Sequence, residues 1–287
     1  MPLGVTALSL SWILCVKKKG KIGVMITSMT NPKVKQVVLW QKKARERRQD
    51  QVFLAEGRKM FGEAPDAWIR EAYLTEGALE KVKENPELWK KIDGISWELV
   101  ADEVMEKMAD TQTPQGILTV LRCPQYELEP LLDQPNGLFL LLEDLQDPGN
   151  LGTIMRTSEG AGITAVILNE KTVDIFNPKT IRATMGSIYR VPFVIVENLE
   201  EMMPILRKKG IRTFAAHLAG ENYYTGCSFQ EPTAFLIGNE GNGLSKELSE
   251  MADSYIKIPM EGKLESLNAA VAAALLMYEA KRQRSLS

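Results

Sequence analysis

Six nearly unbroken apolar runs in the C-terminal half of this 287-residue chain leave few folds open to it. They lie at residues 138–142, 165–168, 191–196, 212–216, 234–237 and 255–258, and helical stretches such as 152–161 and 199–209 separate most of them. A strand with one wet face alternates apolar and polar residues, whereas a strand covered on both faces is apolar throughout. The pattern therefore predicts an α/β fold, a largely parallel sheet with helices on both sides. In such sheets ligands sit beyond the carboxyl ends of the strands, so the residues that follow each run are the ones to inspect.

The N-terminal part reads differently. Residues 30–48 suggest one capped helix, with Asn31 as N-cap, Pro32 in the first turn and an apolar stripe of Val34, Val37, Val38 and Leu39. From Gln51 to Leu121 short strands alternate with helical stretches, 79–92 and 101–108 among them, which predicts a small α/β domain. Residues 123–136 hold three prolines and read as a linker. Residues 1–28 are expected to be an extension outside the fold, with Met25 and Met29 as alternative starts. Their apolar stretch is too short for a membrane span, and its lysines follow it, the reverse of a signal peptide.

Net charge is −2, but it is unevenly spread. Between Val16 and Arg48 stand eleven basic residues (Lys17, Lys18, Lys19, Lys21, Lys33, Lys35, Lys42, Lys43, Arg45, Arg47 and Arg48) against one acid, Glu46. Such a segment is either a phosphate-gripping arm or a solvated helix face, and charge alone does not choose. Cys15, Cys123 and Cys227 have no paired spacing, which points to a reducing, cytoplasmic setting and to no structural zinc. With His217 as the single histidine, neither a His-centred metal site nor a catalytic triad is expected.

Three strand ends carry polar constellations. After residue 142 comes Glu143-Asp-Leu-Gln-Asp-Pro-Gly-Asn-Leu-Gly-Thr-Ile-Met-Arg, in which Pro148-Gly149 makes a turn and Asn150 caps a helix. Asn150 and Arg156 then project from neighbouring helix faces, suited to a phosphate or ribose. After residue 237 comes Gly238-Asn-Glu-Gly-Asn-Gly-Leu, a glycine-rich turn carrying Glu240 that matches neither a P-loop nor a dinucleotide fingerprint. After residue 258 a loop leads to Ser266-Leu-Asn, where Ser266 or Asn268 caps a long helix with five alanines between Ala269 and Ala274. Each of these alone is compatible with routine structure.

Taken in order over 137–287, Asp147-Pro-Gly-Asn-Leu-Gly-Thr-Ile-Met-Arg-Thr, Ile237-Gly-Asn-Glu-Gly-Asn-Gly-Leu and Ile258-Pro-Met with Ser266-Leu-Asn-Ala-Ala-Val-Ala resemble the SpoU/TrmH family of RNA 2′-O-methyltransferases. The stretch from Gln51 to Leu121, best matched at Phe53-Leu-Ala-Glu-Gly, resembles that family's RNA substrate-binding domain, itself similar to ribosomal-protein-type RNA binders, and with the preceding helix it makes an expected N-terminal domain of residues 29–122. The resemblance implies a C-terminal trefoil-knot domain, a homodimer formed through it, and S-adenosylmethionine without a metal. It implies that main-chain groups at Gly238, Ile258 and Leu267, with Ala216, hold the cofactor. It casts Arg156 as the group that activates the ribose hydroxyl, as base or by orientation, with Asn150, Glu240, Ser266 and Asn268 in support. The implied substrate is structured RNA, ribosomal (23S) rather than transfer RNA. Two rivals are a non-catalytic RNA binder built on the same scaffold and an unrelated α/β enzyme of small phosphorylated metabolites; the intact polar set opposes the first, the basic arm and extra domain the second.

Overall fold

The computed structural model describes residues 24–217, 220, 222–263 and 266–285. Cys15 and the cations Lys17, Lys18, Lys19 and Lys21 lie outside these, as does most of the expected extension. The chain divides into two compact units, 1–123 and 124–287.

In the first unit, α1 (Pro32–Lys42) and α2 (Ala44–Asp50) precede β1 (Val52–Glu56), α3 (Arg58–Glu63) and β2 (Ile69–Leu74). Then follow α4 (Glu76–Lys83), α5 (Pro86–Asp93), β3 (Trp97–Leu99), α6 (Asp102–Met108) and β4 (Ile117–Arg122). The four strands form one mixed sheet in the order β1-β4-β2-β3. The single helix expected over 30–48 is two. Lys43 is extended (φ −124°, ψ 111°), and the buried guanidinium of Arg47 donates to the carbonyls of Trp40 (2.6 Å) and Gln41 (3.2 Å) at the end of α1. The stretch 79–92 is likewise split, because Asn85 caps a new helix whose first residue, Pro86, has no N–H to continue the old one. Nor is the expected extension wholly outside the fold. Ile26 is buried, pairs with Val100 and joins the core formed by Val34, Val37 and Trp40.

The second unit opens with α7 (Leu128–Leu132), a short helix inside the expected linker whose Leu131 and Leu132 are buried in this unit's core. Next come β5 (Leu138–Leu142), α8 (Pro148–Ala161), β6 (Ala165–Asn169), α9 (Pro178–Thr184), β7 (Phe193–Val196) and α10 (Met202–Lys208). The chain ends with β8 (Arg212–Ala216), β9 (Asn222–Tyr223), β10 (Thr233–Ile237), α11 (Lys246–Glu250), β11 (Ser254–Lys257) and α12 (Ala269–Arg284). All six apolar runs are strands, and with the two-residue β9 they form a sheet ordered β7-β6-β5-β10-β8-β11-β9. Every pairing in it is parallel. Strands β5, β6 and β10 are buried at every position, as two-sided covering requires. No helix among the described residues is long and apolar enough to cross a membrane.

Helix α8, which carries the first motif, is pressed against α9 through Gly152. A Cβ built there would stand 2.4 Å from Ala183 Cβ and 2.7 Å from the carbonyl oxygen of Thr180. Replacing a helical glycine by alanine ordinarily gains about 1 kcal/mol. Here overpacking against backbone, costing about 1–3 kcal/mol, outweighs it. Gly152→Ala is therefore expected to lower the melting temperature by a few degrees; a rise would show that α8 and α9 separate freely.

Candidate active site

A parallel sheet places all its strand carboxyl ends along one edge, and β5, β10, β8 and β11 are consecutive neighbours in it. Adjacent strands are only about 5 Å apart. Residues far apart in sequence are thus delivered to one place by the strands that precede them.

The first and second motifs are clamped together at three points. Glu143, buried at the end of β5, accepts from the N–H (2.7 Å) and the hydroxyl (2.6 Å) of Ser245. The amide of Asn239 donates to the carbonyl of Asp144 at 2.8 Å. Glu240 accepts from the N–H groups of Gln146 (3.0 Å) and Asp147 (2.9 Å) and from Asn150 Nδ2 (3.0 Å). The third motif then joins, as Asn268 Nδ2 donates to Asn150 Oδ1 at 2.8 Å. Asn268 Oδ1 accepts from the N–H groups of Ala270 (2.9 Å) and Val271 (3.3 Å), so Asn268, not Ser266, caps α12. A continuous relay runs from Glu240 through Asn150 and Asn268 to the first turn of α12.

Asn150 can serve in this relay because it is not the helix cap that the sequence suggested. Asp147 fills that role, its Oδ1 accepting from Asn150 N–H at 2.7 Å with Pro148 in the first turn. That bond outweighs the opposing effect of burial and, with the nearby charge of Lys179, holds the Asp147 carboxyl below its usual range. For Glu240 burial pushes upward, but the donors from Gln146, Asn150 and Asp147 outweigh it and the pKa is lowered. Both carboxylates are held in the charged form.

The glycine-rich turn is built from backbone contacts. Asn239 and Gly243 exchange N–H to carbonyl bonds at 2.9 and 3.0 Å, and Asn239 Oδ1 accepts from the N–H groups of Gly241 and Asn242. A Cβ at Gly238 would lie 2.1 Å from the carbonyl carbon of Gly243, so only glycine fits under the returning loop. Beside this turn lies a cavity of about 320 Å³. Ala216, Gly238, Ile258 and Leu267, the residues expected to hold a cofactor, all line it, as do Glu240 and Ser266. Its walls are apolar at Ile237, Leu244 and Ile256, with Lys257 and a His217 ring stacked on Tyr255 (centroids 5.1 Å apart) among its polar members. Asn150 and Asn268 do not line the cavity and connect to it through the hydrogen bond of Asn150 to Glu240. Arg156 is not brought to this cavity. It is exposed six residues beyond Asn150, about 9 Å along the axis of α8. Its side chain has no hydrogen-bond or ion-pair partner among the described residues.

The sequence profile of the SpoU rRNA Methylase family matches residues 137–278, and that of the MRM3-like substrate binding domain matches residues 31–119. The chain is 33% identical to the 23S rRNA (guanosine(2553)-2′-O)-methyltransferase RlmP of Bacillus subtilis, over 88% of this chain and 97% of that protein. The chain belongs to the SpoU rRNA methylase family. It is also 30% identical to a 23S rRNA (uridine(2479)-2′-O)-methyltransferase of Streptomyces viridochromogenes, over 76% of this chain and 77% of that one. Among solved structures it resembles the AdoMet-bound rRNA methyltransferase of Sinorhizobium meliloti, with a TM-score of 0.81 and 31% identity over 90% of this chain and 97% of that one.

Sequence reasoning passed over Glu143, Asn239 and Ser245, which lock this SpoU-family site together. Glu143 had a visible signal, a carboxylate placed directly after five buried apolar residues. The depressed Glu240 pKa gives a test. Its contribution to stability is complete above the unfolded value near 4.5 and is lost as pH falls through the lower folded value. Glu240→Gln is expected to destabilise by about 1 kcal/mol at pH 7, less than is usual for bonds to a charged group because solvent screens one that is only half-buried. In thermal melts the gap from wild type should close progressively as pH falls below the unfolded value near 4.5; a constant gap would rule out the carboxylate as its source.

Proposed function

We propose that this protein transfers a methyl group from S-adenosylmethionine to a ribose 2′-hydroxyl of structured ribosomal RNA, 23S in preference to transfer RNA. The observation that carries the reading is the convergence of three motifs, through the Glu240–Asn150–Asn268 relay, on the rim of a cavity lined by strand-end backbone.

The cavity fits the cofactor. Apolar walls at Ile237, Leu244 and Ile256 suit a flat base, and backbone at Gly238, Ile258 and Leu267, with Ala216 beside it, can read the base edge without specialised side chains. When bound, S-adenosylmethionine supplies an electrophilic methyl group, so the residues here need only orient the incoming hydroxyl and receive its charge. Ser266, exposed on the rim, and Asn150, fixed by the Glu240 carboxylate and the Asn268 amide, position the ribose. Glu240 fixes Asn150 and keeps its own carboxylate saturated with donors. Arg156 is normally charged, so it acts by orienting the hydroxyl and an adjoining phosphate and by stabilising the developing oxyanion rather than as a free base.

The second unit is read as a trefoil-knot domain that forms a homodimer. Late strand β10 lies between the earlier β5 and β8, which supports a threaded C-terminal segment. The dimer reading is supported by α12, which leaves Val271, Leu275 and Tyr278 exposed along a groove beside Thr153 of α8. Arg156 shares the Thr153 face of α8 and so stands at the protomer seam. The setting we infer is the cytoplasm.

Arg156→Ala should reduce methyl transfer to total ribosomal RNA at least about 100-fold, the scale for losing a preorganised charge-stabilising donor. Calorimetric S-adenosylmethionine affinity should stay within about twofold of wild type, since Arg156 lies outside the cavity. Persistent transfer would remove Arg156 from the mechanism, and absence of cofactor binding in the wild type would remove the reading itself. Leu275→Glu, placing a charge in the α12 face, should convert the dimer to monomer in sedimentation equilibrium; an unchanged mass would put the dimer seam elsewhere.

A further inference from the structure

Within the N-terminal unit a surface of one charge sign lies on the exposed side of α1 and α2. Lys35 and Lys42 are seven residues apart and so return to the same side of α1, opposite the buried Val34, Val37 and Gln41. The bend at Lys43 then sets Arg45 and Arg48, three apart, on one exposed side of α2. Lys35, Lys42, Lys43, Arg45 and Arg48 are all exposed, and none has a side-chain hydrogen bond or ion pair among the described residues. Four other cations of this unit are paired locally, Lys33 with Glu98 and Glu71, Lys59 with Glu63, Lys83 with Glu80, and Lys91 with Asp66, while exposed Lys81 and Lys90 stand on separate helices.

The elbow that carries these charges is stiff. Arg47 points inward and fastens the end of α1. Gln41 donates to Glu56 at 2.9 Å, and Glu56 also accepts from Asp110 N–H and the Thr111 hydroxyl, tying the elbow to the sheet and to the loop before β4. Of the two acids in the segment, Asp50 is engaged by Trp40 Nε1 (2.7 Å) and Gln36, leaving Glu46. Arg70 of β2 adds a sixth cation, its guanidinium 5.3 Å from the centre of the Trp40 ring. A solvated face that serves only solubility mixes signs. Unpaired cations of one sign on a rigid corner suit a polyanion.

We propose that the α1–α2 elbow is the phosphate-binding surface of the N-terminal unit, gripping the backbone of a folded RNA by charge and without reading bases. This rests on the reading of RNA as substrate. It makes the elbow a determinant of RNA affinity, separate from cofactor binding.

The test uses the full chain and a fluorescein-labelled RNA hairpin, with binding followed by anisotropy across a series of KCl concentrations. Lys42→Glu/Lys43→Glu and Arg45→Glu/Arg48→Glu should each weaken binding about tenfold or more and lower the slope of log affinity against log salt by about 1–2. Lys81→Glu/Lys90→Glu, the same charge change on exposed positions of α4 and α5, should leave both within about twofold if the elbow rather than net charge is responsible. The neutral pair Lys42→Gln/Lys43→Gln should show the same trend at smaller size, and S-adenosylmethionine affinity should be unchanged in all. Wild-type salt slopes in the elbow variants would overturn the proposal while leaving the RNA reading intact. Failure of the wild type to bind the hairpin would overturn both. Elbow-dependent binding to anionic phospholipid vesicles, with hairpin binding unaltered, would assign the surface to another polyanion and overturn it as well.

Discussion

The Glu240 carboxylate sits in the loop after β10 and collects two backbone N–H groups from the loop after β5 and one side-chain amide from the first turn of α8. Those two segments are more than ninety residues apart in sequence, yet they meet because β5 and β10 are hydrogen-bonded neighbours in a parallel sheet. Taking a carboxylate partly out of water is unfavourable, and three well-placed donors are what reverse the balance. Once Glu240 is fixed, Asn150 has one orientation in which its amide donates and its oxygen accepts, and that orientation selects Asn268. The order of the site is inherited step by step from one charged group.

Much of this was legible in the sequence, for a physical reason. Strands covered on both faces have no polar positions, so runs such as 138–142 and 234–237 could hardly be anything else, and the polar residues directly after them marked the ligand edge. What periodicity could not show was which polar residue caps and which recognises. Asp147 and Asn150 are both good caps, and only the turn geometry, with Pro148 first in the helix, decides that Asp147 takes the role. The break at Lys43 was hidden because its cause, the Arg47 side chain turning back on the carbonyls of Trp40 and Gln41, is a tertiary event inside a segment of good helix formers. Ile26 was missed because a single buried residue leaves no periodic trace. Arg156 illustrates the opposite limit, since its place in the sequence motif says nothing of its standing outside the cavity.

The two units divide the physical work differently. The C-terminal unit relies on short, directional, nearly saturated hydrogen bonds, which fix atoms to within fractions of an ångström. The α1–α2 surface of the N-terminal unit carries long side chains and unpaired charge, which attract over several ångströms and tolerate variation in the ligand's shape. A catalyst acting on one hydroxyl of a large folded polymer needs both.

Asn268 has a double attachment with an unobvious effect. Its oxygen closes the first turn of α12 while its amide holds Asn150, so unwinding of that turn and loosening of the site are one event. The outer face of the same helix carries Val271, Leu275 and Tyr278. Whatever covers that face suppresses fraying of the helix and thereby raises the occupancy of the ordered site. Assembly and active-site order would then share one local unfolding equilibrium, visible as slowed amide exchange at Ala270 and Val271.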